Sequence, residues 1–206
     1  MTVDRKTHWD TVYDQKSEAQ LSWHQAEAKL SLELIAMAGV TAASSVIDIG
    51  GGTSRLAAAL LSMGLRDVTV LDLSQVALNT ARDQLGQPGQ SVTWIPADIT
   101  SWTPDRQYDL WHDRAVFHFL VDAPERAAYL DSLARGLGNG GHAIIATFAP
   151  DGPETCSGFP VARYSPTDLA EVLGEGFELV AHRPHLHQTP WGKTQSFQFS
   201  LFRRTC

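Results

Sequence analysis

Hydrophobic positions along this chain fall into short β-rich runs alternating with longer stretches of helical spacing, and no internal repeat, low-complexity block or long linker interrupts them. Alternation of that kind predicts an α/β fold. Residues 45–50 (Ser-Val-Ile-Asp-Ile-Gly) read as a buried strand, followed by a helix over 55–63 with Leu56, Leu60 and Met63 on one face and Gly64 as its stop. A second strand covers 68–72, and Ser74 suits the N-cap of a helix over 75–85 that Gly86 ends. Strands over 92–95 and 108–112, a helix over 123–137 and a strand over 143–148 continue the rhythm. After a Gly/Pro-rich loop at 150–160, Ser165 and Pro166 read as N-cap and first residue of a helix to 173. The last two strands, 177–183 and 195–202, have no helix between them and are expected to be antiparallel, because a parallel pair needs a longer crossover. In the final one Phe197, Phe199 and Leu201 alternate with Ser196, Gln198 and Ser200, the pattern of a half-solvated strand. Ahead of the first strand, 25–37 is helix-like, with Leu30, Leu34 and Met37 as its apolar stripe.

The 206 residues suit one domain, and 43% hydrophobic with 19% charged residues is an ordinary globular balance. The 23 acidic residues against 16 Lys and Arg leave a net charge of -7, which argues against a broad nucleic-acid-binding face. Asp4, Arg5, Lys6, His8 and Asp10 break up the start of the chain, which therefore lacks the apolar stretch of a secretory signal. No apolar run approaches the roughly 20 residues needed to span a bilayer. A soluble, cytoplasmic chain with no membrane and no nucleic-acid partner is expected. Cys156 and Cys206 lie far apart, and nothing in their spacing requires a disulfide.

Candidate chemistry begins at Asp48-Ile-Gly-Gly-Gly-Thr-Ser54, which places glycines where a strand turns into a helix, so that backbone can approach a ligand closely. Alone, such a turn is as often merely tight as functional. Its surroundings change the balance: Asp72 ends the second strand, where a carboxylate can accept both hydroxyls of a ribose, and Asp98 follows the third, with Ile99 beside it. Three acids thus collect at the carboxyl edge of adjacent strands, where open α/β sheets bind ligands. Arg55 stands where a dinucleotide fingerprint needs its third glycine, and no Gly-Lys-Ser/Thr follows, so NAD and ATP are both disfavoured.

Val46-Ile-Asp-Ile-Gly-Gly-Gly-Thr-Ser54, Val70-Leu-Asp-Leu-Ser74, Ala97-Asp-Ile99 and Tyr108-Asp-Leu-Trp-His-Asp-Arg114 resemble, in order and spacing, the successive motifs of class I S-adenosylmethionine-dependent methyltransferases. The resemblance spans about 21–203. It implies a Rossmann-like, seven-stranded, mostly parallel sheet with an antiparallel last strand and helices on both faces. It also implies that Asp48 and the backbone of Gly50, Gly51 and Gly52 hold the methionine end of S-adenosyl-L-methionine, that Asp72 holds the ribose with Leu73 among the cofactor contacts, and that Asp98 and Ile99 hold the adenine. Trp23 and His112 join that set. Ser54 departs from the pattern, since many members carry a third glycine there. On this reading residues 1–40 form an N-terminal lid and first helix, and 41–206 the cofactor-binding part of one structural domain.

The segment His112-Asp-Arg-Ala-Val-Phe-His-Phe-Leu120 is expected to follow the fourth strand and face the acceptor, and its Asp-Arg pair resembles the thiopurine and related small-molecule branch. Asp113 and His118 are the candidate proton acceptors, and Arg114 a candidate anchor for a substrate carboxylate. Tyr13, Cys156 and Tyr164 complete the candidate acceptor wall, with Trp9, Tyr13 and Trp23 as an aromatic lid. Lone polar residues at strand ends more often just satisfy backbone groups. His182, His185 and His187 raise the question of a metal, but the pair 185/187 falls in an expected hairpin connection with no carboxylate or cysteine at ligand spacing, so no metal is expected. The expected activity is methyl transfer by in-line displacement to a small-molecule nucleophile, leaving S-adenosyl-L-homocysteine. A protein-lysine methyltransferase and a non-catalytic cofactor-binding protein are the alternatives.

Overall fold

The computed structural model describes residues 4–25 and 27–205. Residues 1–3 of the expected lid, Ala26 of the expected helix and Cys206 lie outside the described residues. In chain order the elements are α1 (Arg5–Gln15), α2 (Lys29–Met37), β1 (Ser45–Ile49), α3 (Leu56–Ser62), β2 (Asp67–Asp72), α4 (Gln75–Leu85), β3 (Thr93–Pro96) and β4 (Tyr108–Arg114). There follow α5 (Ala123–Gly136), β5 (Leu137–Phe148), β6 (Thr155–Cys156), β7 (Phe159–Pro160), α6 (Pro166–Leu173), β8 (Phe177–Gln188) and β9 (Thr194–Arg204).

Seven strands form one sheet in the order β3-β2-β1-β4-β5-β9-β8, with β9 antiparallel to both neighbours. This is the Rossmann-like topology the sequence predicts. Helices cover both faces, so neighbouring residues of one strand enter different cores. Val46 and Ile144 pack with α2 and α3 through Leu34, Leu56 and Leu60, whereas Ile47 and Ile145 pack with α5 and α6 through Tyr129, Leu133 and Leu169. Local signals agree with this packing. The Ser74 side chain caps α4 at Ala77 N, and Ser165 with Asp168 forms a complete capping box on α6.

Several elements differ from the sequence reading, in a boundary or in exposure. β4 continues to Arg114, since β1 and β5 supply ladder partners on both sides up to Asp113 and Arg114 respectively. The expected helix over 25–37 starts only at Lys29, because Ala28 offers no side-chain cap, and His24 and Gln25 stay in an irregular connection. β8 runs through His187, paired residue by residue with β9, so the histidines lie in a strand and not in the hairpin connection. β9 is inside the sheet and not half-solvated: Gln198 and Ser200 are buried. Their polarity is met locally, with Gln198 Nε2 donating to Thr147 Oγ1 and Ser200 donating to Gln198 Oε1. Helix α1, which periodicity did not reveal, is capped by Asp4 at Lys6 N.

Candidate functional site

The carboxyl ends of β1, β2 and β3 bring Asp48, Asp72 and Asp98 to one edge of the sheet. Between β1 and α3 the chain reverses through Gly50 (φ 64°) and Gly52 (φ 48°), conformations that cost a side-chain-bearing residue about 1–2 kcal/mol. Gly50 N donates to Leu71 O at 2.7 Å, and a Cβ on Gly50 would sit 2.0 Å from Val116 Cγ2. Gly50→Ala is therefore expected to destabilise the fold by about 2–4 kcal/mol, combining left-handed strain with overpacking. A urea midpoint equal to that of the unaltered protein would show that the turn tolerates a methyl group.

Asp48 is buried. Its Oδ1 accepts from His112 Nδ1 at 2.7 Å, while His112 Nε2 meets Ser31 Oγ at 2.8 Å and Ser54 Oγ donates to Asp48 Oδ2 at 3.3 Å. His112 is thus a buried brace between β1 and α2. Asp72 accepts from Ser74 N at 2.8 Å and from the Gly52 amide. Burial outweighs those bonds and pushes its carboxyl up to about 7. Asp98 accepts from both Thr100 N and Thr100 Oγ1, which fixes the loop after β3.

Helix α1 roofs this edge. Asp10 accepts from Ser74 Oγ at 2.7 Å, Arg5 pairs with Glu125 at 2.8 Å, and His8 Nε2 lies 3.2 Å from Ser157 Oγ in the turn between β6 and β7. Trp9 packs edge-on to Trp23 and Phe119, and the Tyr13 hydroxyl is so close to Gly52 that a Cβ there would lie 2.6 Å from it. Two cavities lie beneath. The larger, about 990 Å³ out to its solvent mouth, runs from Leu73, Asp98 and Ile99 past Asp72 to His118, Cys156 and Phe159. The smaller, about 620 Å³, is walled by Asp48, Gly51, Ser31 and His112. Tyr13, Trp23, Gly50 and Arg114 line both and form their common waist.

Alternation along β4 sorts its three polar residues. His112 and Arg114 face the cleft side, and Arg114 Nη2 donates to Trp23 O at 2.8 Å. Asp113 points the opposite way, accepting from Tyr129 Oη at 2.7 Å, Val116 N at 2.9 Å and Phe117 N at 3.1 Å. It lines neither cavity, so the expectation that it takes an acceptor proton is corrected: a carboxylate with its oxygens committed to three core donors braces the turn. That turn includes Ala115 at φ 70°, a conformation unfavourable for alanine and pinned on both sides by the bonds of Asp113 and Ala146 O. Tyr164 is likewise displaced from the acceptor wall, because its ring packs on Phe117 inside the second core.

His118, by contrast, lies on the cavity wall, fully buried between Phe119 and Phe148 with neither ring nitrogen partnered. Burial, then the nearby Arg114 charge, lowers it to about 3, so it is a neutral imidazole. Cys156 is a free thiol on the same wall, pushed up to about 11 by burial. Arg5, Phe119, Phe159, Gln195 and Phe197 complete the wall without having been singled out from sequence. Phe119 lies in the 112–120 segment expected to face the acceptor, Phe159 in the Gly/Pro-rich loop, and the phenylalanine alternation in β9 pointed to Phe197. His185 and His187 do share a strand face, with ring centroids 6.2 Å apart, and His187 Nε2 bonds Ser22 O. Among the described residues no three His, Cys, Asp or Glu side chains gather as a metal site.

A Rossmann-like sheet with a glycine turn, ordered strand-end acids and a roofed two-lobed cleft defines a nucleoside-cofactor-binding α/β domain. Residues 46–141 match the family described as methyltransferase domain, and the chain is similar to class I, S-adenosylmethionine-dependent methyltransferases. The trans-aconitate 2-methyltransferase of Rhizobium rhizogenes is 31% identical over 120 residues, covering 58% of this chain and 43% of that enzyme. An eEF1A lysine and N-terminal methyltransferase homolog of Drosophila melanogaster is 22% identical over 144 residues, 66% of this chain and 21% of its own. The chain therefore spans less than half the length of these relatives. The N-methyltransferase NodS of Bradyrhizobium japonicum WM9, solved with S-adenosyl-L-homocysteine, shares the fold at a TM-score of 0.75 and 18% identity, covering 98% of this chain and 99% of NodS.

The cleft fits the cofactor of that class, which has a nucleoside at one end and an amino acid at the other. Glycine backbone lies where side chains would intrude, a buried carboxylate stands in the larger lobe, and two lobes meet at a narrow waist.

Proposed function

We propose that this protein transfers a methyl group from S-adenosyl-L-methionine to a small-molecule nucleophile. The cleft roofed by α1 carries this reading: its larger cavity continues from the strand-end residues Asp72, Leu73, Asp98 and Ile99 to an aromatic wall, and its smaller one lies at the glycine turn. Asp72 with Leu73 would hold the ribose, and Asp98 with Ile99 the adenine. Asp48, Gly50, Gly51, Gly52, Trp23 and His112 would shape the methionine end. When bound, the cofactor supplies an electrophilic methyl group on a sulfonium. The protein's own part is alignment and exclusion of water. Trp9, Phe119, Phe159 and Phe197 wall off the acceptor, and holding two reactants in line replaces a bimolecular encounter. Tyr13, Cys156 and Arg114 are the proposed acceptor contacts, and His118 can hydrogen-bond an acceptor without ionising. Three polar contacts hold α1 over the cleft at Glu125, Ser74 and Ser157, a roof that suits a compact acceptor. This favours the small acceptor.

Calorimetry with S-adenosyl-L-homocysteine, followed by transfer of a labelled methyl group into a size-filtered cell extract, tests the reading. Binding together with label in the low-molecular-weight fraction is expected. Label confined to protein would indicate a protein acceptor, and binding without transfer a non-catalytic cofactor-binding protein.

A further inference from the structure

Among the described residues, buried side-chain polar atoms without a partner are confined to Arg114 Nε and the two ring nitrogens of His118. Native interiors leave few such groups, and each exception calls for a reason. Arg114 has other support, since its Nη2 donates to Trp23 O and the buried Asp48 carboxylate is the largest charge acting on it. His118 has none. Its ring lies between those of Phe119 and Phe148, with centroids 4.5 and 4.8 Å away, and its carbonyl accepts from Ala162 N at 2.8 Å. The bonds of Asp113 to Val116 N and Phe117 N pin the turn just before it. The fold thus fixes an imidazole at the border of the larger cavity and gives it nothing to bond.

Held neutral, that imidazole offers one N–H and one bare nitrogen. Both cations on the same wall are matched by acids, Arg5 by Glu125 at 2.8 Å and Arg114 by the charge of Asp48. The remaining surroundings, Trp9, Phe119, Phe148 and Phe159, are flat and apolar. We infer that His118 is a specificity-determining residue that recognises the methyl acceptor by a hydrogen-bonding edge, and that this acceptor is an uncharged planar molecule of the phenol or heteroaromatic N–H class. The inference rests on the methyl-transfer reading. An ionic ligand would bring a charge out of water against a wall whose own charges are already matched. A ring without a polar edge would fill the space and leave the imidazole unpaired, and a site built to hydrogen-bond its substrate discriminates strongly against such an analogue.

Phenol, toluene and benzoate share a ring and differ in edge and charge, which makes them the probes. Calorimetry on the protein loaded with S-adenosyl-L-homocysteine is expected to show phenol binding at least about tenfold tighter than toluene, and benzoate more weakly than phenol. A purely apolar pocket would give toluene the advantage, because phenol leaves hydrogen bonds with water behind. His118→Phe should reverse the order of phenol and toluene while leaving S-adenosyl-L-homocysteine affinity within about threefold. His118→Gln, which keeps a donor and an acceptor, should restore the preference for phenol. Without ligand, His118→Phe should melt no lower than the unaltered protein, because an unpaired buried group is exchanged for an apolar ring. In the unaltered protein, the imidazole nitrogen NMR signals of His118 should move on addition of phenol and not of toluene. Toluene binding as tightly as phenol overturns the inference, as does benzoate binding more tightly. So does a preference for phenol that survives in His118→Phe, or imidazole signals that phenol leaves in place. A His118→Phe variant that melts clearly lower would make the residue one of packing. If S-adenosyl-L-homocysteine does not bind the unaltered protein, the methyl-transfer reading itself falls; if it binds and phenol has no advantage, only the role of His118 does.

Discussion

Asp72→Ala is expected to weaken S-adenosyl-L-homocysteine binding by about 100-fold or more. A hydrogen bond to a carboxylate is worth about 1.5–3 kcal/mol, and two ribose hydroxyls are proposed to share this one. The same carboxyl costs the ligand-free protein stability. Burial holds it at about 7, against an unfolded value of 3.8, so between those values the folded chain keeps a proton that the unfolded chain has lost. This contribution is greatest below about pH 4, declines as the pH rises toward about 7, and is level above. Ligand affinity should run the opposite way, rising through the same window as the carboxylate forms. Asp72→Asn keeps an acceptor for Ser74 N and should flatten the stability slope while still impairing binding. Calorimetry at pH 6 and pH 8 with urea titrations at both checks the pair. Tighter binding at the lower pH would remove Asp72 from the cofactor site.

For Asp113→Ala the expected loss is in stability, about 3–5 kcal/mol. Three buried donors, Tyr129 Oη, Val116 N and Phe117 N, would lose their acceptor, each at about 1–3 kcal/mol with partial relief by relaxation. In a chain of this size that corresponds to a fall in Tm of roughly 10 °C. The turn carrying Ala115 and Val116 along the cleft would also loosen, so S-adenosyl-L-homocysteine affinity should fall mildly at a temperature where the variant remains folded. Thermal melting separates this role from that of a base. A variant with unchanged Tm, and turnover lost only at low pH, would restore the proton-acceptor assignment.

How much was legible beforehand follows from the range of each signal. The glycine turn, the caps at Ser74 and Ser165 and the acids at strand ends are local features, and their places in the fold agree with their places in the chain. Periodicity missed α1, whose apolar and polar residues do not segregate into faces, because Trp9 and Tyr13 pack against the cleft while Asp10 reaches Ser74. The strand reading of β9 was right in place and wrong in exposure. Gln198 and Ser200 look solvent-facing in sequence, but they satisfy each other and Thr147 inside the sheet.

The sequence by itself determined the α/β architecture and the order of the strand-end acids, because each βαβ unit carries its strand end to the same edge of the sheet. Only the tertiary structure decided what His112-Asp-Arg114 does. Ladder partners in β1 and β5 extend β4 through those residues, and the two-residue period of a strand then sends Arg114 to the cleft and Asp113 to the core beside Tyr129. Whether that run was a loop or a strand could not be read from its own residues, since the partners that settle it lie more than 20 positions away in the chain, on β1 and β5. The aromatic end of the larger cavity has the same origin, because its walls come from α1, the end of β4, the β6–β7 ribbon and β9, and only packing brings them together.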